Sequence, residues 1–463
     1  MKHSPCLSDI TVRGIFALAG PTMLEQLMNT AVQYVDTAMV GSLGTQATAA
    51  VGSTGTVNWL VSSTISAVGV GFLSCISQAC GERDYGKARR AAAQSLLAVL
   101  ILGTLFTVLT LSLSWKIPLW MRVEPDTVRL AGDYFFILYS PMLFRAATII
   151  FGTVLRAAGD TKSPMKVGVL VNAVNVILNF FLIYPTRQLM LAGQAVTVPG
   201  MGWGIRGAAL ASAAAFVLGG ISITWILWRH PYISPRGQSL RPDKRILSPC
   251  LMVALPNSLQ RFGTCFGYVV FASMINSLGD TATAAHTIAN TVESAFYIPG
   301  YGMQSAAAAL AGCAYGEKDS GKLRKLAQRI LWIEVLLMCM SGAALFLLAP
   351  HMVKLFSVDQ QVIMLGSVIL RMVALSEPFY GFSIIVEGML QGMGRTRFSL
   401  VLNLLGMWGV RILGTWLCTR YLGAGLITAW GCMIGHNMLL FIVYAVLYIS
   451  GGWNVLEKSE KST

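Results

Sequence analysis

The stretch GIFALAGPTMLEQLMNTAVQYVDTAMV, residues 14–40, decides how the rest of the chain is interpreted. It is long enough to cross a bilayer, because a membrane-spanning helix needs about 20 mostly apolar residues. It also contains two carboxylates, Glu25 and Asp36. A charge near the hydrocarbon centre costs about 2.5–3.5 kcal/mol even on mild scales, so such residues usually face a polar cavity. The two acids are eleven residues apart and fall on nearly the same helix face. We therefore predict that Asp36 lies in a water-accessible cleft and exchanges a cation there.

The composition predicts an all-α, polytopic integral membrane protein. Of 463 residues, 55% are hydrophobic and only 12% are charged, which is too apolar for a set of soluble domains. The nine cysteines are scattered with no metal-ligand or redox spacing, so we expect neither a cofactor nor a metal centre built on them. We predict twelve membrane-spanning helices, at 14–40, 47–78, 91–115, 130–152, 165–185, 206–228, 247–275, 282–312, 327–349, 362–390, 398–419 and 424–450.

The net charge of +14 reflects membrane topology rather than binding of nucleic acid. One set of alternate connecting segments, including both termini, holds 22 of the 34 lysines and arginines, whereas the other set holds only seven. Cytoplasmic loops carry the excess of basic residues. We therefore expect a multi-pass protein of the plasma or inner membrane, with both termini in the cytoplasm and no nucleic-acid partner.

The two halves of the chain repeat each other at a fixed offset of 235 residues, which indicates an internal duplication. Six spans per half place both repeats in the same orientation, so they form two pseudo-symmetric six-helix bundles with a cleft between them. We predict an N-terminal lobe over 1–228, a cytoplasmic linker over 229–245 and a C-terminal lobe over 246–463. Pro21 and its counterpart Pro256 should bend the first and seventh spans. The matching segments are SLGTQATAA (42–50) with SLGDTATAA (277–285), GERDYGKARR (81–90) with GEKDSGKLRK (316–325), and LRAAGDTK (155–162) with LQGMGRTR (390–397).

Candidate functional residues lie where the repeat breaks. Asp36 is matched by Phe271 in the second half, so this acid belongs to the first lobe alone. Asn172, Asn175 and Asn179 lie on one face of the fifth span. Their carbonyl oxygens are hard ligands of the kind Na⁺ prefers, but amides on a membrane helix also serve as interhelical hydrogen-bond partners. For Asn172 these two interpretations are evenly balanced.

Other acids are further candidates for substrate binding or ion coupling. Glu293 and Glu377 fall near mid-membrane in the second lobe and join Glu25 and Asn172 in this group. Glu334 stands alone on the ninth span, where a contact within the bundle is the simpler interpretation. Glu387 lies nearer the cytoplasmic end, within reach of basic residues.

The residues resemble the multidrug and toxic compound extrusion (MATE) family over almost the whole chain. The resemblance rests on PTMLEQLMNTAVQYVDTAMVGSLG, GERDYGKARR, LRAAGDTKSPMKVGVLVNAVNVILNFFLIYP and GWGIRGAALAS. It implies an antiporter that couples entry of Na⁺ or H⁺ to export of cationic amphipathic compounds. It also implies a cation site at Asp36, Asn175, Asn179 and Ser212, in which the first three would ligate Na⁺ if Na⁺ is the coupling ion.

Two departures from the family pattern leave the coupling ion open. Some members carry a second aspartate where this chain has Asn179, so proton coupling by a paired carboxylate is in doubt. Another branch uses acids at positions that align near Thr264 and Tyr380, neither of which is acidic.

Transport is favoured over the other functions that we considered. A flippase of lipid-linked sugar precursors is the alternative, but it should have additional helices and a strongly cationic cavity. A membrane scaffold or receptor fits the duplication less well, and the motifs of a membrane-embedded enzyme are lacking. We expect small organic cations as substrates, membrane lipid as surroundings, and a monomer.

Overall fold

The structure is a computed structural model that describes residues 11–121, 125–191, 194–454 and 456. It consists of twelve membrane spans arranged as two pseudo-symmetric halves, as the sequence predicts. Within the described residues, the helices of the first half are α1 (Val12–Gly41), α2 (Thr45–Gly81), α3 (Tyr85–Leu113), α4 (Lys116–Trp120), α5 (Pro125–Tyr139), α6 (Met142–Ala157), α7 (Lys162–Leu182) and α8 (Gly204–Arg229). Those of the second half are α9 (Lys244–Asn276), α10 (Asp280–Phe296), α11 (Ile298–Gly316), α12 (Ser320–Lys354), α13 (Gln360–Ala374), α14 (Glu377–Gly392), α15 (Thr396–Leu404), a π-helical segment (Leu405–Ile412), α16 (Leu413–Tyr421) and α17 (Leu426–Ile449).

One element of the described residues is not helical. The connection predicted over 186–205 contains an antiparallel hairpin of β1 (Pro185–Leu191) and β2 (Gln194–Met201). Its backbone groups pair with each other, so this longer loop satisfies its own hydrogen bonds between α7 and α8.

Two spans predicted to be continuous are broken in the structure. The fourth span bends by 51° between α5 and α6, and the tenth bends by 53° between α13 and α14. The breaks occur at Ser140–Pro141 and at Leu375–Ser376, which are equivalent positions of the repeat. Proline at 141, and proline at 378 just after the second break, cannot donate a helical hydrogen bond, so the chain restarts the helix there. Prediction from hydropathy missed both breaks because the apolar pattern runs through them.

Length and hydropathy alone identify nine spans among the described residues, counting each bent pair as one. The membrane spans that this test does not identify are α1, α9 and the α10–α11 pair. These helices contain acidic and polar residues at the interface between the halves. The polar residues lower the mean hydropathy of the helices below that of a lipid-facing helix.

α1 belongs to the packing of both halves. Near its start, Ile15, Leu18 and Ala19 are buried in an apolar cluster with Met303 and Ala306 of α11. Near its end, Asp36 bonds to a side chain of α7. Pro21 lies between these regions, inside a helix that continues past it. A change of angle near Pro21 would therefore move one half relative to the other.

The halves are also joined through the second part of α2. Ser74 Oγ and Gln78 Nε2 each donate to the Gly392 carbonyl at the end of α14, both at 3.0 Å. Cys75 Sγ of the same turn lies 2.8 Å from Cys250 Sγ of α9. This contact lies at the end of the molecule where Arg83 and Lys87 begin the basic connection to α3.

The segment between α8 and α9 packs against α3. Arg89 donates to the carbonyls of Pro231 and Tyr232, at 3.1 and 3.2 Å, and Gln94 Nε2 donates to the Arg241 carbonyl at 2.9 Å. The predicted lobe boundaries at 228 and 246 stay a prediction. Part of the segment between these boundaries is hydrogen-bonded to α3 of the first half.

Close helix crossings in the second half depend on glycine, and Gly388→Ala is expected to lower stability. A Cβ at Gly388 of α14 would lie 2.8 Å from the Gln304 carbonyl oxygen of α11. The two backbones must move apart, and overpacking of this kind costs about 1–3 kcal/mol. Gly431→Ala in α17 is the control, since nothing lies within 4 Å of its Cβ position. The melting temperature in detergent should fall for the first variant and stay level or rise for the second. Equal melting temperatures would contradict the crossing.

Candidate cation site

Four side chains from three helices meet in the first half. Asp36 lies on α1, Asn175 and Asn179 lie one turn apart on α7, and Ser212 lies on α8. Asn179 Nδ2 donates to Asp36 Oδ1 at 2.6 Å, and it lies 3.2 Å from the side-chain amide of Asn175. Asn175 Nδ2 lies 2.9 Å from Ser212 Oγ. The sequence therefore selected residues that do come together in space, including Ser212 from a different helix.

The hydrogen-bond partners of the Asn175 amide decide which way it faces. With its oxygen toward α1, two acceptors, Asn175 Oδ1 and Asp36 Oδ1, would lie 2.9 Å apart. The nitrogen therefore faces Asp36 and donates to its carboxylate at 2.9 and 3.2 Å, and the oxygen accepts from Ser212 at 2.9 Å. This orientation satisfies an ionised Asp36.

The site retains acceptor capacity for a cation. Asn179 is 1% exposed and its Oδ1 has no hydrogen-bond partner. Asn175 is 5% exposed, whereas Asp36 is only half-buried. None of the ion pairs formed among the described residues involves Asp36. A carboxylate, two amide oxygens and a hydroxyl form an all-oxygen set that suits Na⁺, and the carboxylate alone suits H⁺.

The other candidates of the first half lie outside this cluster. Asn172 Nδ2 donates to Asn29 Oδ1 of α1 at 2.9 Å, which is the interhelical contact that the sequence left as one of two interpretations. Glu25 forms an ion pair with Arg156 of α6 at 3.0 Å, with both side chains less than one-fifth exposed. A carboxylate neutralised in this way holds α1 against α6.

Removing the Glu25 charge is expected to reduce stability more than transport. Glu25→Gln leaves the guanidinium of Arg156 without its anion in a mostly buried place, and loss of a charged hydrogen bond costs about 1.5–3 kcal/mol. Glu82→Gln is the matched control, because its ion pair with Lys87 is exposed and such pairs contribute under about 1 kcal/mol. The melting temperatures and the export rates of both variants should be compared. Loss of export without loss of stability in Glu25→Gln would show that this acid takes part in coupling.

A cavity of ≈ 560 Å³ lies in the second half, with Gly55 and Trp59 of α2 from the first half at its edge. Trp59 of α2 meets Tyr268 of α9 there edge to face, with ring centroids 5.9 Å apart. Arg411 of the π-helical segment lies over the rings of Tyr268 and Phe271, at 4.7 and 4.4 Å. Further lining residues include Glu293, Tyr297, Tyr301, Tyr380, His286 and Asn437.

The acids of the second half are placed apart from the Asp36 cluster. Glu293 lines the cavity and accepts a hydrogen bond from the Tyr297 hydroxyl. Glu377 is fully buried at the start of α14. Among the described residues, no three His, Cys, Asp or Glu side chains form a metal-binding group.

Sequence reasoning did not select the aromatic lining of the cavity. Tyr268 lies on α9, Tyr297 between α10 and α11, and Tyr380 on α14, so no spacing in the sequence links them. Arg411 lies within the eleventh predicted span, and nothing in the sequence indicates its partner. The only sequence signal is that tyrosines and an arginine occur at mid-span, where lipid-facing residues are apolar.

Two pseudo-symmetric halves of apolar helices define the chain as a multi-pass membrane protein with the fold of a transporter. The family model MatE matches residues 21–181 and 256–417, which are the two repeats. The chain belongs to the MatE family of transporters, and its curated relatives are named as multidrug resistance proteins.

Similar proteins span nearly the whole chain. "Probable multidrug resistance protein NorM" of Thermotoga maritima is 24% identical over 95% of this chain and 92% of its own length. "Multidrug resistance protein PmpM" of Pseudomonas aeruginosa is 25% identical over 86% of this chain and 82% of its own. A solved outward-facing multidrug resistance MATE transporter superposes with a TM-score of 0.85 at 25% identity, covering 96% of both chains. A solved MOP superfamily transporter from Pyrococcus furiosus gives a TM-score of 0.88 at 25% identity, also covering 96% of both chains.

Proposed function

We propose that the protein exports cationic amphipathic compounds in exchange for Na⁺ or H⁺, by alternating access of a cleft between its two lobes. The proposal depends most on Asp36, which is half-buried, bonded to Asn179 and in none of the ion pairs formed among the described residues. Such an acid can bind and release a cation, whereas one neutralised by arginine cannot. The multidrug names of the relatives support the class of substrate.

The contacts of Asp36 give ion binding a structural effect. When Asp36 is ionised and unoccupied, the amide nitrogens of Asn175 and Asn179 donate to its carboxylate. A cation or proton on this carboxylate competes with both hydrogen bonds, because it occupies the same acceptor oxygens. Ion occupancy thereby alters how α1 and α7 are joined.

α1 transmits this change to the cleft. Its end carries Asp36 in the first lobe, and its start is buried against α11 in the second. A bend near Pro21 alters the cleft and weakens substrate binding, and by linkage the substrate weakens ion binding to the same degree. Because the ion and the substrate weaken each other's binding, the protein exchanges one for the other.

The cleft suits cationic amphipathic substrates. The rings of Trp59, Tyr268 and Tyr380 offer faces for a cation and apolar area for its body. Glu293 supplies the negative charge in the cavity wall. Arg411 is itself covered by two rings, which limits its repulsion of a bound cation.

The distribution of basic residues sets the orientation of the molecule in the membrane. We place the protein in the plasma or inner membrane with both termini in the cytoplasm, and we treat the chain as a monomer. The α2 contact with α9 and α14 then closes the cytoplasmic end, and the cleft faces outward.

Transport into everted membrane vesicles that contain the protein tests the proposal. The vesicles are given a Na⁺ gradient or a pH gradient, one at a time, and uptake of a fluorescent organic cation is measured. Uptake driven by either gradient supports exchange and identifies the ion. No uptake with either gradient, combined with accumulation of lipid-linked precursors in a deletion strain, would instead support the flippase alternative.

A further inference from the structure

A basic pocket lies where α8 ends and the connection to α9 begins. Its volume is ≈ 240 Å³, and the residues that line it come from α3, the end of α8 and the following segment: Arg89, Trp228, Arg229, His230, Ser234 and Arg236. The three arginines have exposed side chains. None of them takes part in an ion pair formed among the described residues. The pocket therefore concentrates positive charge with which no described carboxylate is paired.

Hydrogen bonds fix the shape of this pocket. Arg89 Nε donates to the Tyr232 carbonyl at 3.2 Å, and Arg89 Nη2 donates to the Pro231 carbonyl at 3.1 Å. Ser234 Oγ donates to the Trp228 carbonyl at 2.7 Å, which turns the connecting segment back onto the end of α8. A guanidinium has five N–H groups, so Arg89 is held in place and still has donors for a ligand.

The pocket lies at the level of the membrane surface. α8 is long and apolar enough to cross a membrane, and Arg229 is its last residue. Ile221, Trp225 and Trp228 are all exposed on its final turns, which marks the side of the helix that faces lipid. Tryptophan is enriched where a span meets the lipid headgroups. The Arg229 guanidinium lies over the Trp225 ring, 4.5 Å from its centroid, so charge and aromatic surface meet at this level.

The polar groups that point toward a ligand are hydrogen-bond donors. His230 Nδ1 accepts from the backbone N–H groups of Tyr232 and Ile233, at 3.3 and 3.4 Å, so its proton is carried on Nε2. Asp160 is within electrostatic range of His230, but its carboxylate accepts the Ser163 N–H at 3.0 Å at the start of α7. Guanidinium groups match the oxygens of a phosphate and repel an ammonium group.

The second half has a pocket at the equivalent place, but with less charge. It has a volume of ≈ 790 Å³ and lies between α12 and the end of α17. Arg324 is the one basic residue among the described residues that line it, and it is the counterpart of Arg89 at the offset of 235. The fold thus forms such a pocket in both halves, whereas the group of three arginines belongs to the first half alone.

We propose that the basic pocket of the first half binds the headgroup phosphate of an anionic phospholipid. The lipid belongs to the leaflet in which α8 ends, which is the cytoplasmic leaflet in the proposed orientation. Arg89, Arg229 and Arg236 bind the phosphate oxygens, and the acyl chains lie along the exposed side of α8. Basic pockets beside membrane spans bind anionic headgroups in this way. A zwitterionic lipid binds more weakly, because the same arginines repel its ammonium group. The bound lipid joins α3, α8 and the segment between the two halves.

Native mass spectrometry of the purified protein in detergent, titrated with phosphatidylglycerol, tests the site. The double variant Arg229→Gln with Arg236→Gln should lower the affinity for this lipid about thirtyfold, which corresponds to about 1 kcal/mol for each arginine removed. Arg241→Gln with Arg245→Gln is the matched control. It removes two charges from the same basic segment, outside the pocket, and should keep the wild-type affinity.

The other outcomes would overturn the proposal. Equal loss in both double variants would show only a general effect of charge, and equally tight binding of phosphatidylcholine would remove the role of the arginines. Displacement of the lipid by an equal concentration of inorganic phosphate would identify a site for a soluble anion instead. If the double variant does not fold, Arg236→Gln alone decides: a loss of about fivefold supports the site, and an unchanged affinity refutes it. Because no transport is measured, the result does not depend on the export proposal.

Discussion

Asp36→Asn is expected to abolish cation-driven export while leaving the fold intact. The amide has the shape of the carboxylate and can still accept from Asn179, so packing of α1 against α7 is kept. The negative charge is lost, however, and with it the attraction for the ion. A unit charge at about 4 Å is worth roughly 4 kcal/mol at an effective dielectric constant of about 20. Ion affinity should therefore fall by nearly three orders of magnitude.

The measurement is gradient-driven uptake of a fluorescent organic cation into everted vesicles, with the melting temperature recorded in parallel. Glu25→Gln serves as the comparison, since it removes an acid from the same helix face that is already paired with Arg156. The expected pattern is no gradient-driven uptake for Asp36→Asn and nearly normal uptake for Glu25→Gln. Full uptake and drug resistance with Asn at position 36 would remove Asp36 from the mechanism.

The sequence could identify the cation cluster because its members break the repeat. The three residues differ from their counterparts at the equivalent positions of the second half, so they stand out from the sequence that the two halves share. The counterparts of Asp36, Asn175 and Asn179 are Phe271, Val410 and Gly414. Helix periodicity then placed the two asparagines on one face. Ser212 could be added only through family resemblance, because it lies on another helix with no pattern connecting it to Asp36.

Glu25 and Glu334 show what the sequence could not decide. Both are acids on apolar helices, and the same insertion penalty applies to each. Which of them meets an arginine depends on how the helices rotate and cross. Glu25 meets Arg156, whereas the carboxylate oxygens of Glu334 lie close to glycines and have no hydrogen-bond partner among the described residues. Which acid pairs with an arginine of another helix depends on how the helices pack, and no pattern in the local sequence indicates it.

The π-helical segment of the eleventh span was missed for a similar reason. Leu405–Ile412 has no proline, and its apolar pattern continues that of α15 and α16. Arg411 belongs to this π-helical segment and lies at the cavity, where its guanidinium is over two aromatic rings of α9. π-helical turns often occur at functional sites, but they depend on tertiary contacts rather than on local propensity.

Cross-linking the lobes at Cys75 and Cys250 is expected to stop transport. The two sulfurs lie 2.8 Å apart, on α2 of the first half and α9 of the second, so a disulfide needs little movement of either backbone. Hydrogen peroxide would supply the oxidation: the two thiols lose two protons and two electrons, and the peroxide is reduced to water. Rocking of the lobes requires α2 to separate from α9, and a covalent bond forbids that separation. The protein should then remain fixed with its basic end closed.

The cross-link can be detected within one chain by cutting the linker. The experiment uses a Cys313→Ser background, because Cys313 is itself disulfide-bonded. A protease site inserted between Pro235 and Pro242 divides the chain into its two halves, which then stay together on a non-reducing gel only when the bond between Cys75 and Cys250 has formed. Cys75→Ser is the control, because it removes one thiol and should keep transport insensitive to peroxide. Export should fall to background in the oxidised wild type and return on reduction with a dithiol. If the cross-linked protein still exported its substrate at the normal rate, the cycle would have to proceed without separation of α2 from α9, and alternating access by rocking of the lobes would be wrong.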